Sequence, residues 1–402
     1  MKKTIAIVGI SSVGHHIAFM RLFVEALLEL DYKVLVLFPD EKPIKDWLLE
    51  KHPQHQTNLY FQYYQEPHFV VKKCGIFNQA VEVWKKWKHL ASQIRVAEKK
   101  YDVQVDFVYH TWLDTFIANY LSPFLLNIAF PFKWSGMYFH PRHYRYIPDK
   151  LKEKVSISEI DIIFKTAKCQ NVTVHDEGIV RQFSQRIGKK VMLFPEIADD
   201  TQPDMQILPI QEIEAKAKGR TKLLIAGIID KGKRLYDYMQ LAKMAAEDKY
   251  FFIFAGPINI SHYEPTEQAE LKSFLDSKHE NCYIYDKYLQ EGAEFNAFIA
   301  VADIIFLVYE NFPSSSNRLT KAAIFKKYVI TQNRFCVGED VQKYGLGETV
   351  EEGNLPQALA AMDTLRTRIL HEPFPHESFE KYSALHSATR LKACFQEVLQ
   401  NI

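Results

Sequence analysis

The chain has 402 residues, 47% of them hydrophobic and 25% charged, and its 50 basic and 49 acidic side chains give a formal net charge of +1. This length predicts two domains, and a charge this close to zero argues against DNA or RNA as a partner. The five cysteines are scattered without a C-x-x-C pair, which argues against a disulfide framework and a zinc site and favours a reducing cytoplasm.

The first half of the chain predicts an α/β domain that opens with a βαβ unit. A continuous apolar run at 5–9 predicts a buried strand, helical spacing of apolar residues covers 17–30, and a second strand pattern covers 34–38. We expect neither a signal peptide nor a membrane span, because no apolar run is long enough. The further predicted strands, several of them separated by helical stretches, are 105–109, 125–130, 160–164, 172–174 and 191–194.

An aperiodic stretch with prolines and acids at 195–204 predicts the connection to a second α/β domain. The strands predicted after it are 223–227, 251–256, 282–285, 304–308 and 328–331. The predicted boundaries are therefore 1–196 for the first domain, 197–378 for the second and 379–402 for a terminal helix, and the pattern leaves open whether this helix packs on the first domain. Because open parallel sheets bind ligands at the carboxyl ends of their strands, we expect a ligand cleft between the domains.

The first predicted strand ends in a turn rich in glycine and hydroxyl groups. Its glycine spacing resembles a phosphate loop, but His15 and His16 stand where that loop requires Lys and Ser or Thr. The dinucleotide pattern G-x-G-x-x-G fails as well, because position 11 is Ser. Gly14 and His15 are candidate donor-binding residues, since the turn leads into a helix and imidazoles titrate near neutral pH. A plain strand-to-helix turn is the alternative.

Two loops of the second half combine features of an anion site. Gly227 ends a predicted strand, and the loop after it carries three cations that would stabilise a diphosphate: Lys231, Lys233 and Arg234. The turn at 313–317 precedes a short helix, whose first N–H groups bind anions, and its polar residues are Ser314, Ser315, Ser316 and Asn317. A solvated basic loop and an ordinary helix cap are the alternative interpretations.

These two loops, in this order, resemble the donor-binding domain of GT-B fold glycosyltransferases, particularly the family 4 type. In that family a strand ending in Gly leads to a Lys-containing loop, and a later strand precedes a Glu-bearing loop, a helix and another strand. The corresponding stretches are 226–233, 254–257, 302–307, 310–312, 326–331 and 341–347. The resemblance covers the second half well and the first half in outline, and it implies two Rossmann-like, doubly wound parallel-sheet domains that face a central cleft.

The resemblance assigns roles to single residues of the second half. Lys233 matches the phosphate-binding lysine of the family, and Glu310 matches the glutamate that meets the donor sugar. Tyr288 lies in the stretch that borders the nucleobase, and the turn at 313–317 would hold the diphosphate by its amides. Two positions depart from the family: Ile228 replaces an arginine, and Lys321 stands where a second glutamate holds the ribose.

Residues after predicted strands of the first half are candidates for the other side of the site. His110 resembles the cleft histidine of the family, which would contact the sugar or assist proton transfer, and a histidine bonded to nearby backbone is the alternative. Trp134, His140 and Arg142 suit an acceptor wall, because apolar sugar faces stack on rings, and a packed loop is the alternative.

A helical stretch at 72–100 has Trp84 and Trp87 on an apolar stripe and lysines turned away from it. It fits either a helix that covers the core or one that lies on an anionic bilayer and collects a lipid acceptor.

The sequence therefore predicts a hexosyltransferase-like enzyme that moves a sugar from a UDP-, GDP- or TDP-sugar to an unidentified glycan, lipid or small molecule. His110, Lys233 and Glu310 are the predicted catalytic residues, and retention of configuration is implied by the resemblance alone. No D-x-D ends a predicted strand, so we expect neither a metal nor another cofactor. The alternatives are a degenerate GT-B protein that binds a nucleotide or glycan, motivated by Ile228 and Lys321, and a GT-B sugar-nucleotide epimerase. The expected location is the cytoplasm, with peripheral contact to the inner face of the membrane as a further alternative.

Overall fold

The computed structural model describes residues 2–11, 15–71, 74–146, 156 and 158–400, and for His15 it describes the backbone alone. Gly14 and the side chain of His15, both predicted to bind the donor, thus lie outside the described residues. The chain divides into two compact units. Unit 1 comprises Met1–Pro195 and Ala388–Ile402, and unit 2 comprises Glu196–Ser387.

Unit 1 is built on a parallel sheet with helices between its strands. Its elements up to residue 195 are β1 (Thr4–Val8), α1 (His15–Glu29), β2 (Lys33–Phe38), α2 (Lys42–Lys51), β3 (Leu59–Tyr63), α3 (Asn78–Tyr101), β4 (Val105–His110), α4 (Pro123–Ala129), β5 (Trp134–Gly136), β6 (Val172–Val174), α5 (Glu177–Ile187) and β7 (Val191–Leu193). The strand order in the sheet is β3-β2-β1-β4-β5, and β6 pairs with β7. Ile5 lies between Val34 of β2 and Phe107 of β4 in the register. All five residues of β1 are buried, as expected of a parallel strand covered on both faces.

Two strands predicted in unit 1 are helical in the structure. The run at 125–130 belongs to α4, whose N-cap is Ser122 and whose first residue is Pro123, and both residue types favour a helix start there. The run at 160–164 lies in a short 3-10 helix, Ile160–Lys165. A short apolar run has the same composition in a buried strand and in a buried helix, so periodicity could not separate the two.

Unit 2 contains a parallel sheet of six strands. Its elements are α6 (Leu208–Ala217), β8 (Thr221–Ala226), α7 (Leu235–Met244), β9 (Tyr250–Ala255), α8 (Pro265–Asp276), β10 (Cys282–Tyr285), α9 (Ala293–Val301), β11 (Ile304–Leu307), α10 (Asn317–Ile324), β12 (Tyr328–Gln332), α11 (Phe335–Tyr344), β13 (Gly347–Val350), α12 (Leu355–His371) and α13 (His376–Leu385). The strand order is β10-β9-β8-β11-β12-β13. The chain order reverses between β8 and β11, and such a switch point is where loops at the carboxyl ends separate and leave room for a ligand.

The last helix, α14 (Ala388–Val398), belongs to unit 1. Its Phe395 packs against Phe23, Tyr109 and Phe194, with ring centroids 5.4, 5.1 and 5.2 Å apart. The stretch predicted as one terminal helix over 379–402 therefore holds parts of two helices, α13 in unit 2 and α14 in unit 1. Among the described residues, none of the helices is both long and apolar enough to cross a bilayer.

Candidate functional site

A glycine at the carboxyl end of β8 lies against two cationic side chains. Gly227 has φ +84°, a left-handed conformation that favours glycine. A Cβ atom at this position would lie 2.2 Å from Nη2 of Arg318 and 3.0 Å from Nζ of Lys233. The backbone of Gly256, directly after β9, packs closely against the backbone of Gly227, because a Cβ atom at Gly256 would lie 2.2 Å from the carbonyl oxygen of Gly227. The absence of a side chain at Gly227 thus makes room for the two cations, and its absence at Gly256 lets the two glycine backbones pack together.

Lys233 is held in place by the short 3-10 turn Lys231–Lys233. Its backbone N–H donates to Oδ1 of Asp230 at 3.2 Å, and its Nζ donates to the carbonyl oxygen of Ala226 at 2.9 Å. The pKa of Lys233 is lowered to about 6, first by burial and then by the charge of Arg318, while the charge of Asp230 acts in the opposite direction. A bound anion would favour the charged ammonium and so reverse this shift.

Arg318 is the residue of this site that sequence reasoning missed. It follows Asn317 in the first turn of α10, and its guanidinium carbon lies 5.9 Å from the centroid of the Phe295 ring. Within the described part of the chain, its buried Nε has no hydrogen-bond partner and its guanidinium forms no ion pair. The signal lay in the topology: β8 and β11 are neighbours in the sheet, so the helix after β11 starts beside the loop after β8.

The loop after β11 is tied to the loop after β8. The backbone N–H of Glu310 donates to the carbonyl oxygen of Gly232 at 2.9 Å, while the side chain of Glu310 is exposed. The predicted sugar-binding glutamate and the predicted phosphate-binding lysine are thereby brought to neighbouring loops. Ile228, where the family has its arginine, is 60% exposed.

Two of the three hydroxyl groups of the serine turn already have protein partners. Ser315 donates to the carboxylate of Glu196, and the hydroxyl of Ser316 lies 3.0 Å from that of Tyr309. Ser314 is half-buried, and Ser316 makes no side-chain cap for α10. The contribution of this turn to an anion site therefore comes from the first backbone N–H groups of α10 rather than from these hydroxyls.

Three other predicted donor-binding residues, Lys231, Arg234 and Tyr288, have contacts or exposure of their own. Nζ of Lys231 lies 5.8 Å from the centroid of the Tyr263 ring. Nε of Arg234 donates to Asp237 at 2.7 Å, and its guanidinium lies beside Gly353. Tyr288 is 75% exposed. Of the three cations predicted on the loop after β8, Lys233 lies at Gly227 together with an arginine from α10, and the donor-binding roles of Lys231, Arg234 and Tyr288 stay predictions.

Lys321 has a full set of partners although it is almost completely buried. Its Nζ lies 2.6 Å from Oδ1 of Asn296, 2.6 Å from Oε1 of Glu291 and 3.2 Å from the carbonyl oxygen of Asp199. Three acceptors satisfy the three donors of an ammonium group. This lysine is therefore a structural anchor of unit 2.

In unit 1, two of the predicted site residues lie in the aromatic core. His110 is fully buried, with ring centroids of Trp87 and Phe116 at 4.7 and 4.8 Å, and burial lowers its pKa to about 3. Neither ring nitrogen of His110 has a hydrogen-bond partner among the residues that the structure describes. Trp134 is also fully buried and packs on Trp87 at 4.9 Å. The burial of both side chains corrects the expectation that they contact the substrate, because the surrounding aromatic rings separate them from solvent.

His140 does lie at an accessible place, beside the carboxyl ends of β4 and β5. Its Nδ1 lies 2.9 Å from Oδ1 of Asp114, and the same carboxylate accepts the backbone N–H groups of Phe139 and His140 at 3.0 and 2.9 Å. Trp112 stacks on Phe139 with centroids 4.0 Å apart and lies 5.5 Å from the His140 ring. Arg142 is exposed. Trp112 and Asp114 were not predicted as site residues, and their positions two and four residues after β4 were the available signal.

Comparison with known proteins finds solved structures of the same fold at low sequence identity. No protein-family model matches the chain, and no curated protein does. Among solved structures, a glycosyltransferase from Rickettsia africae is 13% identical with a TM-score of 0.63, and the match covers 100% of both chains. A sucrose-phosphate synthase from Thermosynechococcus elongatus is 11% identical with a TM-score of 0.63, over 99% of this chain and 98% of that one. HepE from Anabaena, solved with UDP and glucose, is 12% identical with a TM-score of 0.61 over 100% of both. The chain therefore has the predicted GT-B fold.

Proposed function

We propose that this GT-B protein is a glycosyltransferase that binds the diphosphate of a nucleotide-sugar donor between Lys233 and Arg318. The observation that carries the proposal is a pair of neighbouring basic side chains at the carboxyl end of a parallel strand, neither of which forms an ion pair with a carboxylate of the described chain. An arginine binds phosphate oxygens in pairs, and a lysine adds a point charge. HepE, which shares the fold, was solved with UDP, so UDP-sugars are the first donors to test.

In the proposed reaction, the bond between the anomeric carbon and the diphosphate oxygen breaks, and its electron pair leaves with the diphosphate. The oxygen of an acceptor hydroxyl forms the new bond to that carbon and releases its proton. Negative charge grows on the departing diphosphate, and preorganised cations stabilise that charge most strongly where water is scarce. We assign this stabilisation to Lys233 and Arg318, which supply the positive charge without a divalent metal. Retention of configuration remains part of the proposal through the family resemblance.

Glu310 is assigned to the donor sugar. The hydrogen bond from its backbone N–H to the carbonyl oxygen of Gly232 holds the Glu310 loop next to the loop of Lys233. The side chain of Glu310 is exposed. A carboxylate accepts hydrogen bonds from two sugar hydroxyls at once, which fixes the ring relative to the diphosphate.

In unit 1, His140 and Trp112 are assigned to substrate hydroxyls and to an apolar sugar face. The hydrogen bond that Nδ1 of His140 donates to the carboxylate of Asp114 leaves Nε2 to accept a hydrogen bond from a substrate hydroxyl. The half-exposed ring of Trp112, stacked on Phe139, offers the flat surface on which sugars pack. These assignments replace those of His110 and Trp134, which aromatic core residues enclose.

A second candidate function is a GT-B protein that binds a nucleotide sugar without turning it over. It is favoured by Lys321, which stands where the family has a glutamate that holds the ribose. The ammonium group of this lysine is engaged by Asn296, Glu291 and Asp199. The two candidates make the same prediction for diphosphate binding and differ in whether the donor is cleaved.

The test measures release of nucleoside diphosphate from UDP-, GDP- and TDP-sugars, first with water as the acceptor. We expect saturable release from one of these donors, in the presence of EDTA, and a loss of about tenfold to a hundredfold in Arg318→Ala and Lys233→Ala. Arg368→Ala is the matched control, because this arginine is also half-buried in unit 2 but pairs with Glu348 near the amino end of β13. Binding without cleavage supports the second candidate, and inversion at C2 of the sugar supports an epimerase. Equal rates in all three variants and the wild type would refute the site.

A further inference from the structure

The surface of unit 1 carries an apolar patch centred on the short helix α4. Phe124, Leu125 and Ile128 are 71%, 51% and 64% exposed. Residues three and four positions apart share one face of a helix, so these three side chains point the same way. A seven-residue helix with three large exposed hydrophobic side chains is unusual on a soluble surface and marks a place of interaction.

The patch continues onto the 3-10 turn Gly75–Phe77, which directly precedes α3. Ile76 is 70% and Phe77 is 48% exposed, and the Phe77 ring lies 5.2 Å from that of Tyr120, just before α4. Nε1 of Trp84 donates to the carbonyl oxygen of Leu125 at 3.3 Å, which fixes α3 against α4. We define the α4 patch as Ile76, Phe77, Phe124, Leu125 and Ile128. Trp84 and Tyr120 adjoin it and carry a polar group on an aromatic ring, as side chains at a membrane interface do.

Three basic residues contact side chains on α4 or near it. Nζ of Lys88 lies 5.4 Å from the Trp84 ring centroid, and the guanidinium carbon of Arg95 lies 5.9 Å from that of Phe132. The backbone N–H of Lys168 donates to the side chain of Asn127 on α4 at 3.4 Å. In the described part of the chain, Lys88, Arg95 and Lys168 form no ion pair.

The acidic residues nearby are already engaged. The stretch 120–133 contains no Asp or Glu, and α3 carries six lysines and arginines against two glutamates. Glu82 lies 3.6 Å from Nζ of Lys86, and Glu98 accepts the backbone N–H of Val105 at 2.8 Å. An apolar surface with aromatic neighbours and net positive charge therefore lies on one side of unit 1.

We infer that the α4 patch docks on an anionic lipid bilayer. Phenylalanine, leucine and isoleucine would enter the boundary between headgroups and acyl chains, while lysine and arginine would meet lipid phosphates. The unneutralised cations favour this occupant over a second apolar protein surface. Of the stripe for which a bilayer contact was one alternative, Ile76 and Phe77 belong to the α4 patch and Trp84 adjoins it, whereas Trp87 is fully buried in the core. The inference does not depend on the proposed enzymatic activity.

The test is sedimentation of the full chain with vesicles of phosphatidylcholine that contain about one quarter phosphatidylglycerol. We expect binding that weakens as salt rises, and much weaker binding to pure phosphatidylcholine. The double variant Phe124→Ser/Ile128→Ser should lose about tenfold or more in partitioning, and Lys88→Glu/Arg95→Glu should lose binding to the anionic vesicles. Leu208→Ser is the control, because Leu208 in unit 2 is 65% exposed and should not contribute.

Because these side chains are exposed, all variants should keep the far-UV circular dichroism and thermal midpoint of the wild type. Failure of the wild type to bind anionic vesicles would overturn the inference, and so would equal losses in the Leu208 control. A wild-type dimer in light scattering that dissociates in the Phe124→Ser/Ile128→Ser variant would instead identify the α4 patch as an interface between copies of this chain.

Discussion

Replacement of Arg318 by methionine should strengthen the ligand-free fold while weakening diphosphate binding. Nη2 of Arg318 and Nζ of Lys233 lie within 2.2 and 3.0 Å of one point, the Cβ position built on Gly227, so they are no more than about 5 Å apart. Two positive charges at about 5 Å repel by about 1 to 3 kcal/mol for effective dielectric constants between about 80 and 20. Methionine keeps an unbranched stem on the Phe295 ring but removes the charge.

The pH dependence of this effect follows from the lowered pKa of Lys233. In the wild type the folded pKa is about 6, below that of an unfolded lysine, so protonation of this group costs folding free energy as pH falls. Removal of the Arg318 charge raises the folded pKa and so reduces that cost. The gain in unfolding free energy of Arg318→Met should therefore be absent near pH 9. It should grow as pH falls from the pKa of Lys233 in the folded variant to its pKa in the folded wild type, and it should be complete below about pH 6.

The assay is urea unfolding of both proteins across this pH range, followed by thermal-shift titration with UDP at neutral pH. Loss of a charge-assisted contact costs about 1.5 to 3 kcal/mol, so the dissociation constant should rise about tenfold to a hundredfold. Arg368→Met, which removes an arginine paired with Glu348, should show neither effect. An Arg318→Met protein that gains no stability at acid pH and binds UDP as tightly as the wild type would refute this account of the site.

Three further predictions concern single side chains. Gly227→Ala places a Cβ atom 2.2 Å from Nη2 of Arg318, so UDP affinity measured by thermal shift should fall about tenfold or more, and an unchanged affinity would contradict the close packing of the two cations at Gly227. His110→Phe should keep the activity and keep or raise the thermal midpoint, because the buried imidazole has no hydrogen-bond partner among the described residues and a ring of similar shape needs none; a loss of activity in a folded variant would restore a catalytic role. Lys321→Ala should lower the unfolding free energy in urea by about 1 to 3 kcal/mol, because Asn296 and Glu291 lose their partner, while UDP affinity stays within about twofold. A larger change in UDP affinity would show that Lys321 acts on the ligand.

The sheets could be predicted from sequence because parallel strands are buried on both faces and read as uninterrupted apolar runs. The runs that became β1, β2, β4 and β8 to β12 were recognised in this way. The short strands β3 and β13 were missed because half-buried residues break their pattern, and β5 was missed because its three buried residues, Trp-Ser-Gly, form no apolar run. The helix α4 was assigned as a strand, since seven residues are too few for helical periodicity to be distinguished from a strand pattern.

The candidate site was predictable in its loops and only in part in its side chains. Lys233 and Gly227 lie close in sequence, and the order of loop, strand and helix identified them. Arg318 could not be assigned in the same way, because its contact with Gly227 depends on the adjacency of β8 and β11 in the sheet. His110 was misjudged for the complementary reason: its position at the end of β4 is visible in the sequence, but the rings that enclose it come from α3, which supplies Trp87, and from the turn after β4, which supplies Phe116.

The return of α14 to unit 1 has a consequence for synthesis and for dissection of the chain. Unit 2 is one continuous piece, whereas unit 1 needs both ends of the chain, since Phe395 fills a space between Phe23, Tyr109 and Phe194. During translation unit 1 is begun first, but the ring of Phe395 becomes available to its core only after unit 2 has been synthesised. Domains otherwise fold in order of emergence, so here we expect unit 2 to reach its native state first. A fragment that stops before residue 388 should accordingly expose the aromatic core of unit 1, while Glu196–Ser387 is the piece to express alone.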